Sequence, residues 1–452
     1  MSALNQYLDL YSSNKDLLNS HSAGVLNTSR AAAAQVLREN GLPKFGSEHY
    51  AVTDLEKVLA PDYGVNMARV KIPVDTAASF HCDVPNMSTA LFFLINDTFA
   101  CGKRAADNLP EGVVVESLAT AAVTHKEIVE KYYGKVADGA NALVALNTLL
   151  TQDGVFIYVP KGVVVEKPIQ LVNILQNNMP LMAVRRMLIV VEDDAEAQLL
   201  VCDHTQNAAV DFLALQTIEI VAGVNAKFSI YDLEESSEKT SRLSTLYLRQ
   251  ERNSDVMVDG ITLFNGNTRN EYYCTFAGEG ASLQLLGMGI EDKNRRLDTY
   301  SHISHPKPNC YSNELFKYVA DDEAVCGFEG RIYVAEGAHG TNSYQANRNI
   351  LASSEARIYS KPQLEIYNDD VKCSHGSAIG QLDETQIFYM RTRGVDIHQA
   401  KLLLKQAFMA DVIEGVRLSS LKDRLKMLVE HRFLGDKSAG CGTCNAGCGN
   451  IQ

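Results

Sequence analysis

From Val155 the chain is a succession of short β-rich runs with no long amphipathic helix between them: Val155–Val159, Val163–Val165, Ile169–Val172, Met187–Val191, Phe212–Leu215, Phe228–Ile230, Leu243–Leu248, Leu283–Leu286 and Gln363–Tyr367. Runs of this length, rich in β-branched and aromatic residues, predict strands. Without helices alternating between them, they argue against a doubly wound α/β sheet. An alanine followed by alternating apolar residues recurs at Ala197, Ala226, Ala281 and Ala356, in steps of 29, 55 and 75 residues. These steps lie near one, two and three multiples of about 25 to 29 residues, the coil length expected of a stacked β-solenoid. A sandwich or barrel is the alternative that the strand pattern permits.

The two ends read differently. Ser29–Asn40 is rich in strong helix formers and is closed by Gly41 and Pro43. Thr53, with Glu56 three residues on, predicts a capping box for a helix through Leu55, Val58 and Leu59. Further helices are expected between Ala119 and Tyr133. After Gly394 helical periodicity returns, with Asp396 as the expected cap of a stripe that includes Leu403, Leu404 and Phe408, and Ser420 as that of a second helix carrying Leu421, Leu425 and Leu428. Such a pair either packs on the β-region or offers a groove to another protein. The expected division is a helical domain over residues 1–140, a β core over 141–392, a helical domain over 393–434 and a flexible Cys/Gly tail over 435–452.

A chain of 452 residues has ample material for a core, and 46% hydrophobic with 21% charged residues is a globular composition. The net charge of -13, with no dense basic run, argues against a nucleic-acid partner. No apolar run approaches the length needed to cross a bilayer. Met1–Tyr11 lacks the features of a secretory signal, so a cytoplasmic, reducing location is expected and the ten cysteines are expected to be free thiols. Seven of them are isolated and suit a role as small buried hydrophobes.

The phosphate cradle of a P-loop ATPase is absent, as are a G-x-S-x-G elbow and an H-E-x-x-H pair, so no ATP site and no obvious enzyme signature is read. The richest polar segment is Lys361–Gly376, which holds Glu365, Lys372, Cys373 and His375. On a strand Cys373 and His375 share a face, and a thiolate with a neutral imidazole suits a soft or borderline metal. A structural cysteine with a hydrogen-bonded histidine is the plainer alternative. His302 and His305, three apart, would not share a strand face and read as structural, and His339 between glycines is uninformative. Cys441, Cys444 and Cys448 have ligand-like spacing and form a candidate metal or sulfur site, although an unstructured thiol tail fits the same residues.

Lys361–Gly376, with Ile379–Tyr389, Arg391–Gly394 and Val159–Gln170, resembles the SufB/SufD family of iron-sulfur cluster assembly proteins. Asp298–His302, His305 and Phe328–Arg331 are similar to further family segments. The SufB branch carries a cysteine in the stretch matching Asn342–Ala352, where this chain has none, so the likeness is to the SufD branch. The resemblance implies a right-handed parallel β-helix between helical ends, acting as a non-catalytic scaffold. It implies pairing with a SufB-like subunit through the ends of the two β-helices, and docking of a SufC-like ATPase on the C-terminal helices, here at Leu404, Phe408 and Leu425. It places His375, with Cys373 as neighbour and Lys372 and Glu365 in the same segment, at the subunit junction where a transient cluster is built. A flavin is left unassigned. An open strand edge at the terminal coil would let the isolated chain form a homodimer. Two other readings compete: a β-helix enzyme acting on polysaccharide, and an iron or sulfur carrier working through the cysteine tail.

Overall fold

A computed structural model describes residues 2–74, 90–101 and 106–435. Between Val155 and Gly380 the chain winds into a β-solenoid of about eight turns. Successive strands alternate between two ten-stranded sheets, and within the solenoid every pairing is parallel. A turn takes from 26 residues, as from Ser241 to its partner Asn267, to 32, as from Val155 to Met187. Side chains alternate in and out along each strand. The inward rows, among them Ile189, Leu199, Phe228, Leu246 and Leu285, form one continuous apolar core.

What repeats is a corner. Asp194, Asn225, Asn253, Gly280, Asn309 and Gly340 all have positive φ, between 56° and 69°. Each is followed by a small residue: Ala195, Ala226, Ser254, Ala281, Cys310 and Thr341. Asp and Asn tolerate this left-handed conformation better than other side chains, and glycine adopts it freely. The corner side chains also stack: Asn225 Nδ2 donates to Asp194 Oδ1 at 2.8 Å and Asn253 Nδ2 to Asn225 Oδ1 at 3.3 Å. At Gly280 a Cβ would lie 2.6 Å from Asn253 Oδ1, so glycine suits this corner for space as well as for φ. Of the four alanines expected to mark the repeat, only Ala226 and Ala281 are equivalent. Ala197 lies two residues further into its strand, and Ala356 precedes a strand of the other sheet.

At its beginning the solenoid finishes in short antiparallel pairs. Ala90–Ile95 pairs with Thr98–Cys101, and Val114–Ser117 pairs with Val155–Val159. The N-terminal region is thus not wholly helical, because these strands extend both sheets. The helices Ala3–Ser20, Arg30–Asn40, Leu55–Leu59 and Ala142–Leu150 build a second core with Met182, Val184, Leu213 and Leu243 on the outside of one sheet. Arg30–Asn40 ends at Gly41 as expected, with φ 67°. The Leu55–Leu59 helix is capped by Asp54 rather than Thr53: Asp54 accepts from the Lys57 N–H, while Thr53 donates to Asp298 Oδ2 at 2.7 Å. Glu56 instead accepts from Ser2 and from the Ala3 N–H, each at 2.7 Å.

Past Gly380 come three helices, Glu384–Thr392, Ile397–Gly415 and Ser419–Leu434. The last two lie on the outer face of the other sheet, where Met409, Val412, Ile413, Leu421, Leu425 and Leu428 share a core with Leu200, Met257, Ile261 and Leu286. Asp396 caps Ile397–Gly415 as expected, accepting from His398 and Gln399 N–H. Ser420 does not cap its helix, which starts one residue earlier after Leu418 with no side-chain cap. Arg432 anchors the far end, donating to the carbonyls of Leu263 and Ile290 and to Asp292. Beneath these helices lies Asp259, fully buried on the row of Met257 and Ile261. Neither of its carboxylate oxygens has a hydrogen-bond partner, and burial pushes its pKa up to about 7. Among the described residues no helix is long and apolar enough to cross a membrane.

Candidate functional site

The polar segment singled out in the sequence forms the last turn of the solenoid. Its strands are Arg357–Ile366 and Val371–Gly380, each bonded on one side only, to Val325–Val334 and Thr341–Leu351. Among the described residues the other edges of both strands are unpaired. Around them stand exposed Tyr359, Ile366, Tyr367, Ile379, Phe388 and Tyr389. A parallel sheet is normally covered, so two free edges beside exposed aromatic residues form a surface suited to pairing with another chain.

Inward alternation places Ile358, Ser360 and Leu364 on one side of the terminal lumen and Val371, Cys373, His375 and Ser377 on the other. Ser377 donates across it to Ser360 at 2.7 Å. Cys373 is half-buried against the core, and burial raises its thiol pKa, whereas His375 is exposed at the open mouth. The two thus share a face, as their two-residue spacing requires.

Behind them the lumen turns polar. The parallel register stacks Ser312, Ser343 and Cys373 in one file and Glu314, Gln345 and His375 in the next. In the first file His305 Nε2 lies 2.9 Å from Ser312 Oγ, which lies 2.6 Å from Ser343 Oγ. Burial lowers the His305 pKa to about 3, so this ring is neutral. In the second, Gln345 Nε2 donates to Glu314 Oε2 at 2.7 Å, and burial pushes the Glu314 carboxyl up to about 7. None of Ser312, Ser343, Glu314 or Gln345 was singled out from the sequence. Their signal is an inverted alternation: in Thr341–Leu351 the exposed residues are Tyr344 and Arg348, while Gln345, Asn347 and Asn349 are buried.

The remaining candidates do not converge on this point. Lys372 alternates with Cys373 and is exposed on the outer side. Glu365 also faces outward and binds Arg331 through both oxygens, at 2.6 and 2.7 Å. Lys361 Nζ sits 3.5 Å from Glu329 and 3.8 Å from Glu48. Glu48, His49 and Glu329 are the one grouping of potential metal ligands among the described residues, and an ammonium already balances it. Leu425 is fully buried under the helices, and Leu404 and Phe408 are half-buried, with Lys317 Nζ 4.6 Å from the centre of the Phe408 ring. The exposed large apolar residues of these helices are Ile397, Leu403, Met427 and Leu434. His305 is internal, His302 is half-buried with its pKa lowered by burial and by Arg331, and His339 is exposed in a turn. Cys202, Cys274, Cys310 and Cys326 are buried thiols outside any disulfide. Cys441, Cys444 and Cys448 lie outside the described residues.

Two family models cover almost the whole chain: the SUF system FeS cluster assembly, SufBD core domain, over residues 173–408, and the SufBD protein N-terminal region, over residues 1–171. The iron-sulfur cluster assembly SufBD family protein slr0076 of Synechocystis is 29% identical over 419 residues, spanning 91% of this chain and 92% of that protein. The iron-sulfur cluster assembly protein SufD of Escherichia coli is 37% identical over 158 residues, 35% of this chain and 37% of that one. SufD of Bacillus subtilis is 27% identical over 363 residues, 77% of this chain and 80% of that one.

Proposed function

The chain belongs to the SufB/SufD family of iron-sulfur cluster assembly proteins, and from that premise we propose that it is a SufD-type, non-catalytic scaffold subunit of a SufBCD-type complex working in the cytoplasm. The observation that carries this reading is the unfinished last turn of the solenoid, where two parallel strands, with outer edges unpaired among the described residues, surround a lumen mouth holding Cys373 and His375. Completion of both sheets by a SufB-like subunit would satisfy the free backbone groups and place the thiol and imidazole against the partner. The iron-sulfur cluster is then cargo, bound transiently between the two chains. The unprotonated nitrogen of a neutral imidazole offers iron a lone pair.

The C-terminal helices are the proposed dock for a SufC-like ATPase. Since Leu425 is spent on packing against the solenoid, the dock is the outer surface carrying Leu403 and Met427, flanked by Leu404 and Phe408. ATP binding and hydrolysis would then be supplied by the partner. The test is co-expression of the tagged full-length chain with a SufB-like and a SufC-like protein. Recovery of a stable three-component complex is expected, and recovery of the tagged chain without either partner refutes the assignment.

A further inference from the structure

The interior of this solenoid is apolar through most of its length, so the polar file that ends at His375 calls for a reason. Burying an amide costs free energy unless its groups are paired. Asn347 and Asn349 meet this by bonding each other, Asn349 Nδ2 donating to Asn347 Oδ1 at 2.6 Å. Gln345 does so on one side only. Its Nε2 donates to Glu314 Oε2, while its Oε1 is buried and has no partner. While Glu314 is ionised the amide does not turn round, because the flipped form would set its carbonyl oxygen against the carboxylate. The opposite sheet also makes room for it: a Cβ at Gly330 would clash with Gln345 Nε2.

The next residue of this file, one strand spacing of about 4.8 Å further on, is His375. We propose that Gln345, oriented by Glu314, is the positioning residue for His375: its amide oxygen accepts the imidazole N–H and so leaves the other ring nitrogen unprotonated and turned to the open mouth. An amide oxygen only accepts, so it selects one tautomer, as the outer partners of metal-binding histidines do. The inference rests on the reading of His375 as a ligand for the iron of the cargo cluster. It adds that the ligand is preset by residues one and two turns deeper in the lumen.

The test reads the ring itself. In the full-length chain with 15N-labelled histidine, the His375 nitrogen signals, assigned by their loss in His375→Ala, report the tautomer. A single dominant tautomer is expected in the unaltered chain. Gln345→Met, which keeps the shape and removes the acceptor, should change the tautomer ratio several-fold, as should Glu314→Leu, which frees the amide to rotate. Glu314→Gln keeps an acceptor for Gln345 Nε2 and should preserve the original ratio, although a purely structural role for the carboxyl predicts that both Glu314 variants behave alike. Iron affinity at the subunit junction should fall with the tautomer change, by about 10 to 100-fold. An unchanged His375 signal in Gln345→Met overturns the proposal. If that variant does not fold, an identical signal in Glu314→Leu overturns it. Failure of the underlying reading looks different: His375→Ala would then support cluster formation normally, whatever the tautomer.

Discussion

Replacement of Asp259 by asparagine should flatten the pH dependence with which the C-terminal helices hold to the solenoid. The carboxyl lies under those helices with both oxygens unpartnered, and burial alone raises its pKa to about 7. When the helices lift, the group meets water and returns to about 3.9. The folded pKa is thus the higher one, so the packed state binds the proton more tightly. The stability this contributes is complete below about pH 4 and is lost as pH rises through 7. With those two values, the packed state gains roughly 1.4 kcal/mol between pH 8 and pH 6, close to one pKa unit of linkage. The substituted amide has no proton to gain, and its own burial cost is the same at both pH values, so the slope is diagnostic and the offset is not. Hydrogen exchange over Ser419–Leu434, corrected for intrinsic rates, gives the local opening free energy at each pH. Asp259 is expected to contribute about a tenfold gain in protection from pH 8 to pH 6 in the unaltered chain, and the variant should lack that increment while keeping the slope supplied by buried Glu291. Equal slopes in the two proteins would refute the assignment of an unpaired, ionising carboxyl to this interface.

His375→Ala should fold, pair with SufB-like and SufC-like partners, and fail to support cluster formation in cells, whereas Cys373→Ala should be milder because the partner can supply a thiolate; normal cluster yield from the histidine variant removes it from the mechanism. Leu403→Asp, at an exposed position of the C-terminal helices, should weaken ATPase binding by at least tenfold without changing the circular dichroism, and unaltered binding would move the dock elsewhere. The isolated chain should dimerise through the Arg357–Gly380 edge, with a SufB-like partner competing for it, and small-angle scattering of a monomer at high concentration would contradict this. Deleting the residues after Gly435 should lower iron or labile sulfide in the reconstituted complex without preventing its assembly; unchanged content leaves Cys441, Cys444 and Cys448 without that role.

Strand identity and the solenoid architecture were legible because β-branched runs and the absence of intervening helices are local properties. The phase of the repeat was not. Alanine is common inside many strands, so Ala197 and Ala356 matched by chance, whereas the determinant is the pair formed by a left-handed Asn, Asp or Gly and the small residue after it. The cap of the Leu55–Leu59 helix was read to within one residue: Thr53 and Asp54 are both competent, and only the position of Asp298 on a distant strand draws Thr53 away. Cys373 and His375 were found together because they share a strand face, but Lys372 and Glu365, adjacent in the same segment, point outward. Gln345 and Glu314 escaped notice because polar residues alternating with Tyr344 and Arg348 read as the solvent side of a strand. The inversion follows from a lumen that turns polar near its mouth, a property of the stacked turns and not of any single strand.

The two ends of the solenoid differ in a way that bears on how far assembly can proceed. Among the described residues, one end finishes in short antiparallel strands, and the other presents two bare parallel edges. A rod adhesive at both ends would add copies head to tail without limit and grow into filaments. If only the bare parallel end is adhesive, as proposed above, each copy would have a valence of one. Growth would then stop at the first encounter, whether the second rod is another copy of this chain or a related one, and the concentration of competing rods would decide which pair forms.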